Sequence, residues 1–356
     1  MDESWVVVGL DNGGTKNNAT VIRVDGSGQH FLVKDRLETP SRVKEGPDVA
    51  VQAVVDAFLN ILKETHIAAE QVDAVGFDTP GPATAHGVLS ARGSTNFNHP
   101  GWRSFDFRGA VEKALEATLK RKVPVLYSND ANAAALYAHN AFFKQDAALR
   151  SSVSAIVGTG LGGGVIESGR IVRGAAGMAG ELGHIQIPMH GLLAEGQPLP
   201  HCNCGLFGDV ESVASLTGIL KNLLPYWLKR CPNHDLGHMP IEEAAKKVRE
   251  YGEKQDELAL KVFEQQAIAI GRLFTLASNF TDPDAYFVGG GVVEAKVEFR
   301  NWFLAKVREH TCLRAEQLPG RFELVHDLDM AGARGAAEAA LEWIRTHPAQ
   351  SGRVKK

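Results

Sequence analysis

"WVVVGLDNGGTKNNATVIRV", residues 5–24, sets a β-branched run, Trp5–Leu10, against the turn Asp11-Asn12-Gly13-Gly14 and a second run from Asn17 to Val24. Such runs, bounded by Gly and Asn, read as strands. Strand, glycine turn, strand predicts a hairpin. It is not the opening of a dinucleotide-binding unit, whose first strand must run into a helix. Gly13 and Gly14 leave backbone N–H groups uncovered and Thr15 adds a hydroxyl, which is what a phosphate chain requires of a turn. A hairpin also needs glycine for its own geometry, so one such turn is ambiguous.

The pattern returns. Val153–Val157 runs into Gly158-Thr159-Gly160-Leu161-Gly162-Gly163-Gly164, and Val165–Glu167 resumes a strand. Two hairpins with a threonine-bearing glycine turn predict two related α/β domains. They also predict phosphate contacts at Gly13, Gly14 and Thr15, and again at Gly158, Thr159 and Gly160. Lys16 is either a further phosphate contact or a solvated strand lysine. A third turn, Gly289-Gly290-Gly291, follows the strand Ala285–Val288, and its Gly290 and Gly291 offer bare backbone to a base or ribose.

Elsewhere Val51, Val54, Val55, Phe58 and Leu62 share one helical face between Pro47 and Glu64. Val72–Phe77 is a strand ending in the rigid turn Asp78–Pro82. Val123–Tyr127 is another, and it delivers Ser128-Asn129-Asp130 to an alanine-rich helix, Ala131–Phe142. Helix dominates from Glu211 to Ser278 and returns at Ala331–Ile344. This alternation predicts α/β architecture throughout. The division it suggests is a smaller domain, 1–128, completed by the C-terminal helix 331–345, a larger domain, 129–330, and a disordered basic tail, 346–356.

Composition narrows the function. A chain of 356 residues, 44% apolar, with a net charge of −4, carries no basic field to recruit nucleic acid or an anionic membrane. No apolar run approaches the ~20 residues of a membrane span. The acidic N-terminus lacks the features of a signal peptide. Four cysteines in a chain this long suggest no disulfide framework, hence a reducing, cytoplasmic setting. Asp130, where a strand turns into a helix, has three readings: a helix N-cap, a surface acid, or a base held ionised by the helix dipole.

Taken together, the motifs resemble those of the ROK family (repressors, open reading frames, kinases). Asp11–Lys16 is similar to the family's first phosphate motif, D-x-G-G-T-K; Asn129–Ala134 to its sugar-site motif; and Gly158–Gly164 to its second phosphate motif. Gly180-Glu181-Leu182-Gly183-His184 and Cys202-x-Cys204-Gly205-x-x-Gly208 follow in the family's order. Kinases of this family phosphorylate hexoses with ATP on an actin-like, hexokinase-type fold, in which two ribonuclease H-like α/β domains flank an active-site cleft. The resemblance therefore implies ATP on the two glycine turns, Mg²⁺ on its phosphates with Asp11 nearby, and Asp130 as the base. It assigns the sugar to Asn98, Asn129, Asp130, Glu181, His184 and Glu211, with Asn96 beside Asn98 as a competitor. It also implies a homodimer.

The family's cysteine loop reads C-x-C-G-x-x-G-C-x-E, and the histidine of the G-H pair completes a structural zinc site. Here Asp209 replaces the third cysteine. Carboxylate oxygen binds zinc, so His184, Cys202, Cys204 and Asp209 remain a valid set, with His190 and His201 as spare candidates. An oxygen ligand should make the site weaker and more exchangeable. A second cluster, Cys231-Pro232-Asn233-His234 with His238, reads as a helix-to-helix loop.

Competing functions stay open at this level. A sugar-responsive repressor needs a DNA-binding domain before the first motif, which here begins at Asp11. A catalytically impaired sugar-binding protein and a polyphosphate-using kinase share the same turns. Glucose is the first substrate expected, with N-acetylglucosamine, N-acetylmannosamine, mannose and fructose behind it. Asn17-Asn18, polar where the family is usually apolar, has no explanation in sequence.

Overall fold

Trp5–Asn12 (β1) and Lys16–Asp25 (β2) pair antiparallel, so the opening glycine turn is a hairpin. The computed structural model describes residues 4–26, 28–33, 37–92, 96–326 and 328–352. Chain contacts divide into two units, one of residues 1–141, 171–179 and 327–356, the other of 142–170 and 180–326.

In the first unit the strands run in the order β3-β2-β1-β5-β6, with β4 on β2. Here β3 is Gly28–Phe31, β4 Glu38–Pro40, β5 Ala74–Thr79 and β6 Val125–Asn129. β1, β5 and β6 are mutually parallel. The period-two alternation of β1 decides its packing. Val6, Val8 and Leu10 enter a core with Val54, Phe58 and Ile61 of α1 (Pro47–Glu64) and Val111 and Leu115 of α2 (Phe107–Leu119). Val7 faces the other way, onto Ala337, Ala340 and Leu341 of α9 (Ala331–Thr346). Side chains of this size, fully buried, contribute ~1.5–3 kcal/mol each.

Helix α9 lies on bare backbone. A Cβ at Gly9 would stand 1.9 Å from the Ala333 carbonyl oxygen, and one at Gly76 1.9 Å from that of Ala336. The chain end is anchored there too. Pro348–Gln350 forms a helical turn, the Gly352 amide donates to the Asp73 carbonyl at 2.8 Å, and Ser351 Oγ bonds the Asp73 carboxylate. The disorder expected from residue 346 therefore does not hold as far as Gly352; residues 353–356 lie outside those described.

In the second unit the strand order is β11-β10-β7-β8-β9. β7 (Ser152–Val157) and β8 (Leu161–Glu167) form the second hairpin, antiparallel as the sequence predicts. β10 (Ala285–Gly290) lies parallel to β7, and β11 (Phe322–Val325) parallel to β10. β9 is the short Arg170–Ile171. Val153, Ala155 and Val157 pack with Val262, Leu273 and Phe274 of the long helix α7 (Glu257–Thr281). No helix among the described residues is long and apolar enough to cross a membrane.

Candidate active site

Register sets the chemistry of the first unit. On the parallel ladder β1–β5 Asp11 is the partner of Asp78, and on β5–β6 Asp78 is the partner of Ser128 and Thr79 of Asn129. Asp11, Asp78, Asn129 and Asp130 thus collect at the carboxyl ends of parallel strands, the edge where open α/β sheets bind ligands. Burial pushes the Asp11 carboxyl up, while neighbouring Asp78 and Asn18 oppose it. Asp78 is raised well above the ordinary range, by burial first and then by the charges of Asp11 and Asp130.

The asparagines that sequence left unexplained brace this edge. Asn18 Nδ2 donates to Asp11 Oδ2 at 3.1 Å, and Asn12 Nδ2 to Asn17 Oδ1 at 2.6 Å. The turn itself closes through Gly13 N–H to the Lys16 carbonyl at 2.8 Å. A Cβ on Gly14 would meet Asn96 Oδ1 at 2.5 Å. Asn96 lies against the turn, and Asn98 is exposed. Lys16 is exposed and ion-paired with Glu38.

At the start of α3 (Asp130–Phe143) the three readings of Asp130 separate. Asn129 Oδ1 accepts from the amides of Ala131 at 3.0 Å and Asn132 at 3.4 Å. Asn129 is the cap. Asp130 sits at the first helical position, half-buried, with Oδ1 on the Ala131 amide at 2.7 Å. Capping occupies the Asn129 side-chain oxygen.

The second unit holds the other turn and the loop. Gly158 N–H donates to the Gly160 carbonyl at 2.9 Å. A Cβ on Gly160 would lie 2.5 Å from Glu211 Oε2, and the same oxygen accepts from the Leu161 amide at 2.9 Å. Glu211 therefore buttresses the second glycine turn. Gly290, at φ +95°, passes so close to β7 that a Cβ would stand 1.9 Å from the Val157 carbonyl oxygen, to which Gly291 N–H donates at 3.1 Å. Burial raises the Glu181 carboxyl, Glu211 adds to the shift and His184 opposes it. Glu181, His184 and Glu211 thus share one electrostatic neighbourhood.

His184, Cys202, Cys204 and Asp209 bring one ligand atom each within 4.8 Å of one another. His184 Nδ1 to Asp209 Oδ2 is 3.3 Å, Cys202 Sγ to His184 Nδ1 3.8 Å, and Cys204 Sγ to Asp209 Oδ2 3.6 Å. Tetrahedral zinc with N or O ligands at ~2.0 Å and S at ~2.3 Å needs ligand separations of ~3.3–3.8 Å. The set fits zinc. His190 and His201 are not part of it. Asp209 is fully buried; burial raises its carboxyl, but bonds from His184, Cys202 and Ser212 outweigh this and hold it low. Hydrogen bonding to Asp209 raises the His184 imidazole, and burial pushes the Cys202 thiol up. The second cluster is a loop: His234 Nδ1 accepts from the Leu236 amide at 3.1 Å and Nε2 meets Asp256 at 3.0 Å.

Sequence reading missed Asp78. The signal available was an acid closing an otherwise apolar strand, the position Asp11 also occupies.

The sequence model described as ROK family matches residues 7–342. A glucokinase of Halalkalibacterium halodurans is 28% identical over 305 residues, 83% of this chain and 82% of that protein. An N-acetylmannosamine kinase of Escherichia coli O7:K1 is 28% identical over 336 residues, 93% of this chain and 97% of the other. Among solved structures, a ROK family glucokinase from Streptomyces griseus in complex with glucose and AMPPNP superposes with a TM-score of 0.66 at 25% identity, covering 95% of this chain and 99% of that one.

Proposed function

The chain belongs to the ROK family, and on that premise we propose that it is an ATP-dependent sugar kinase that phosphorylates a hexose, glucose first, at its 6-hydroxyl. The observation that carries the reading is Asp130. Asn129 takes the capping amides of Ala131 and Asn132, and Asp130 stands half-buried at the first position of α3, at the strand edge where open α/β sheets bind ligands. In phosphoryl transfer the protein supplies positioning and charge neutralisation more than covalent chemistry. Asp130 accepts the proton of the attacking hydroxyl, and the dipole of α3 keeps it ionised. Glu181, His184, Glu211 and the Asn129 amide hold the sugar hydroxyls, whose two-sided hydrogen bonding such side chains match.

The amides of Gly13 to Thr15 and of Gly158 to Gly160 receive the phosphates, and Gly290 and Gly291 the nucleoside. Mg²⁺, when bound, neutralises the phosphate charge; Asp11 is the residue expected to face it. His184, Cys202, Cys204 and Asp209 hold a structural zinc that keeps His184 and Glu211 in place. The same reading carries a cytoplasmic homodimer.

The relatives named for glucose and for N-acetylmannosamine stand at the same identity, so an N-acetylhexosamine is the second reading of the substrate. The test is ADP release from ATP and Mg²⁺ with each hexose and N-acetylhexosamine added singly. Release on one sugar, falling ~10²–10⁴-fold in Asp130→Asn, is expected. Folded protein that releases no ADP with any sugar, and that also fails with polyphosphate as donor, refutes the proposal and favours a sugar-binding protein.

A further inference from the structure

Asp78 has no part in the scheme above, and its surroundings are unusual. It is fully buried at the end of β5, and neither carboxylate oxygen meets a hydrogen-bond donor. The polar group that abuts it is another carboxylate, Asp11, and the charge of Asp130 also bears on it. Asp11 is supported from elsewhere. Asn18 donates to it at 3.1 Å, and the amino end of α9 approaches so closely that a Cβ on Gly332 would lie 2.9 Å from Asp11 Cγ. No hydrogen-bond donor reaches Asp78.

A buried acid is normally retained with a guanidinium, an ammonium or backbone amides around it. Two abutting carboxylates without such partners are reconciled by a shared proton or by a cation between them. Hard divalent cations of magnesium's kind take oxygen ligands and are held through one or two carboxylates, with water filling the rest.

We propose that Asp78 and Asp11 form a carboxylate pair that binds a divalent cation of the magnesium class on the protein itself, before any nucleotide arrives, with Asp78 a ligand in its own right. The proposal deepens the kinase reading and rests on it only for the use to which the cation is put. Register makes the pair, because the Asp11–Asp78 partnership on the β1–β5 ladder sets the two side chains side by side on one face.

The probe is Mn²⁺, followed by electron paramagnetic resonance on full-length, nucleotide-free protein whose cysteine loop has first been filled with zinc. One Mn²⁺ per chain is expected, displaced by Mg²⁺, with affinity falling about tenfold or more in Asp78→Asn. A second variant, Asp78→Ser, checks the loss in a different packing. Thermal unfolding gives an independent readout. Mg²⁺ should raise the midpoint of wild type and not of Asp78→Asn, while in EDTA the variant should melt at or above wild type, because like-charge repulsion is gone.

Wild type that binds no Mn²⁺, or variants that bind it as wild type does, overturns the proposal. So does a variant stabilised in EDTA when neither protein binds Mn²⁺, since the pair then holds a proton. Sugar-dependent ADP release without Mn²⁺ on the free protein would sink this inference and leave the kinase reading standing. Mn²⁺ bound without any sugar-dependent turnover would do the reverse.

Discussion

Glu338 offers the most exacting test of the first unit's energetics. It lies on α9, 7% exposed, and Asn140 Nδ2 donates to its Oε2 at 2.9 Å. Burial raises its carboxyl from the ordinary 4.5 to about 8, with Asn140 and Arg334 opposing. Arg334 engages the Tyr137 hydroxyl at 2.8 Å and lies over the rings of Phe31 and Tyr137, so its charge is only partly directed at Glu338. Between those two pKa values the folded chain keeps a proton that the unfolded chain has released. Stability is therefore full below the unfolded value and falls as pH rises, by ~1.4 kcal/mol per unit, until the folded group ionises. At pH 7 the loss is ~3 kcal/mol, a large share of a typical 5–15 kcal/mol stability. Glu338→Gln keeps an acceptor for Asn140 and removes the titration. Urea midpoints followed by fluorescence at pH 5, 6, 7 and 8 should show the variant gaining steadily on wild type. Parallel curves for the two proteins would mean that Glu338 is ionised in the folded state and that burial does not dominate.

Other outcomes follow from the same geometry. Asn129→Ala should cost about 1 kcal/mol through the lost cap of α3, and Asn129→Asp should restore it; equal denaturation midpoints for all three would refute the cap. Gly290→Ala forces a side chain onto φ +95° and into the Val157 carbonyl, so the melting temperature should fall and the KM for ATP rise. Asp209→Ala should strip the loop of zinc under a mild chelator while Asp209→Cys retains it, read as metal per chain by elemental analysis.

Much of the molecule was legible along the chain. Both hairpins were visible because a β-branched run, a glycine turn and a second run are local patterns, and β1–β2 and β7–β8 formed where those patterns lie. The cysteine loop was legible for a similar reason, since Cys202, Cys204 and Asp209 are close in sequence and glycines let them converge. His184 was added by resemblance, as its distance along the chain carries no geometric information. The approach of Asn96 to Gly14 has no local signature; it joins a loop to a hairpin about 80 positions earlier in the chain.

Composition and local pattern by themselves determined the α/β class, the two glycine hairpins and their order along the chain. Each depends on residues within a turn or two of one another, whose backbone preferences and periodicity act before any long-range contact forms. Tertiary structure alone decided that Asn129 caps α3, that Asn18 braces Asp11, and that Glu211 stands against Gly160. It also decided that Asp78 lies beside Asp11. Those pairings come from strand register and loop closure, in which residues 67 positions apart become neighbours. Register is selected by the burial of a whole strand face, not by the polar residues that it brings together.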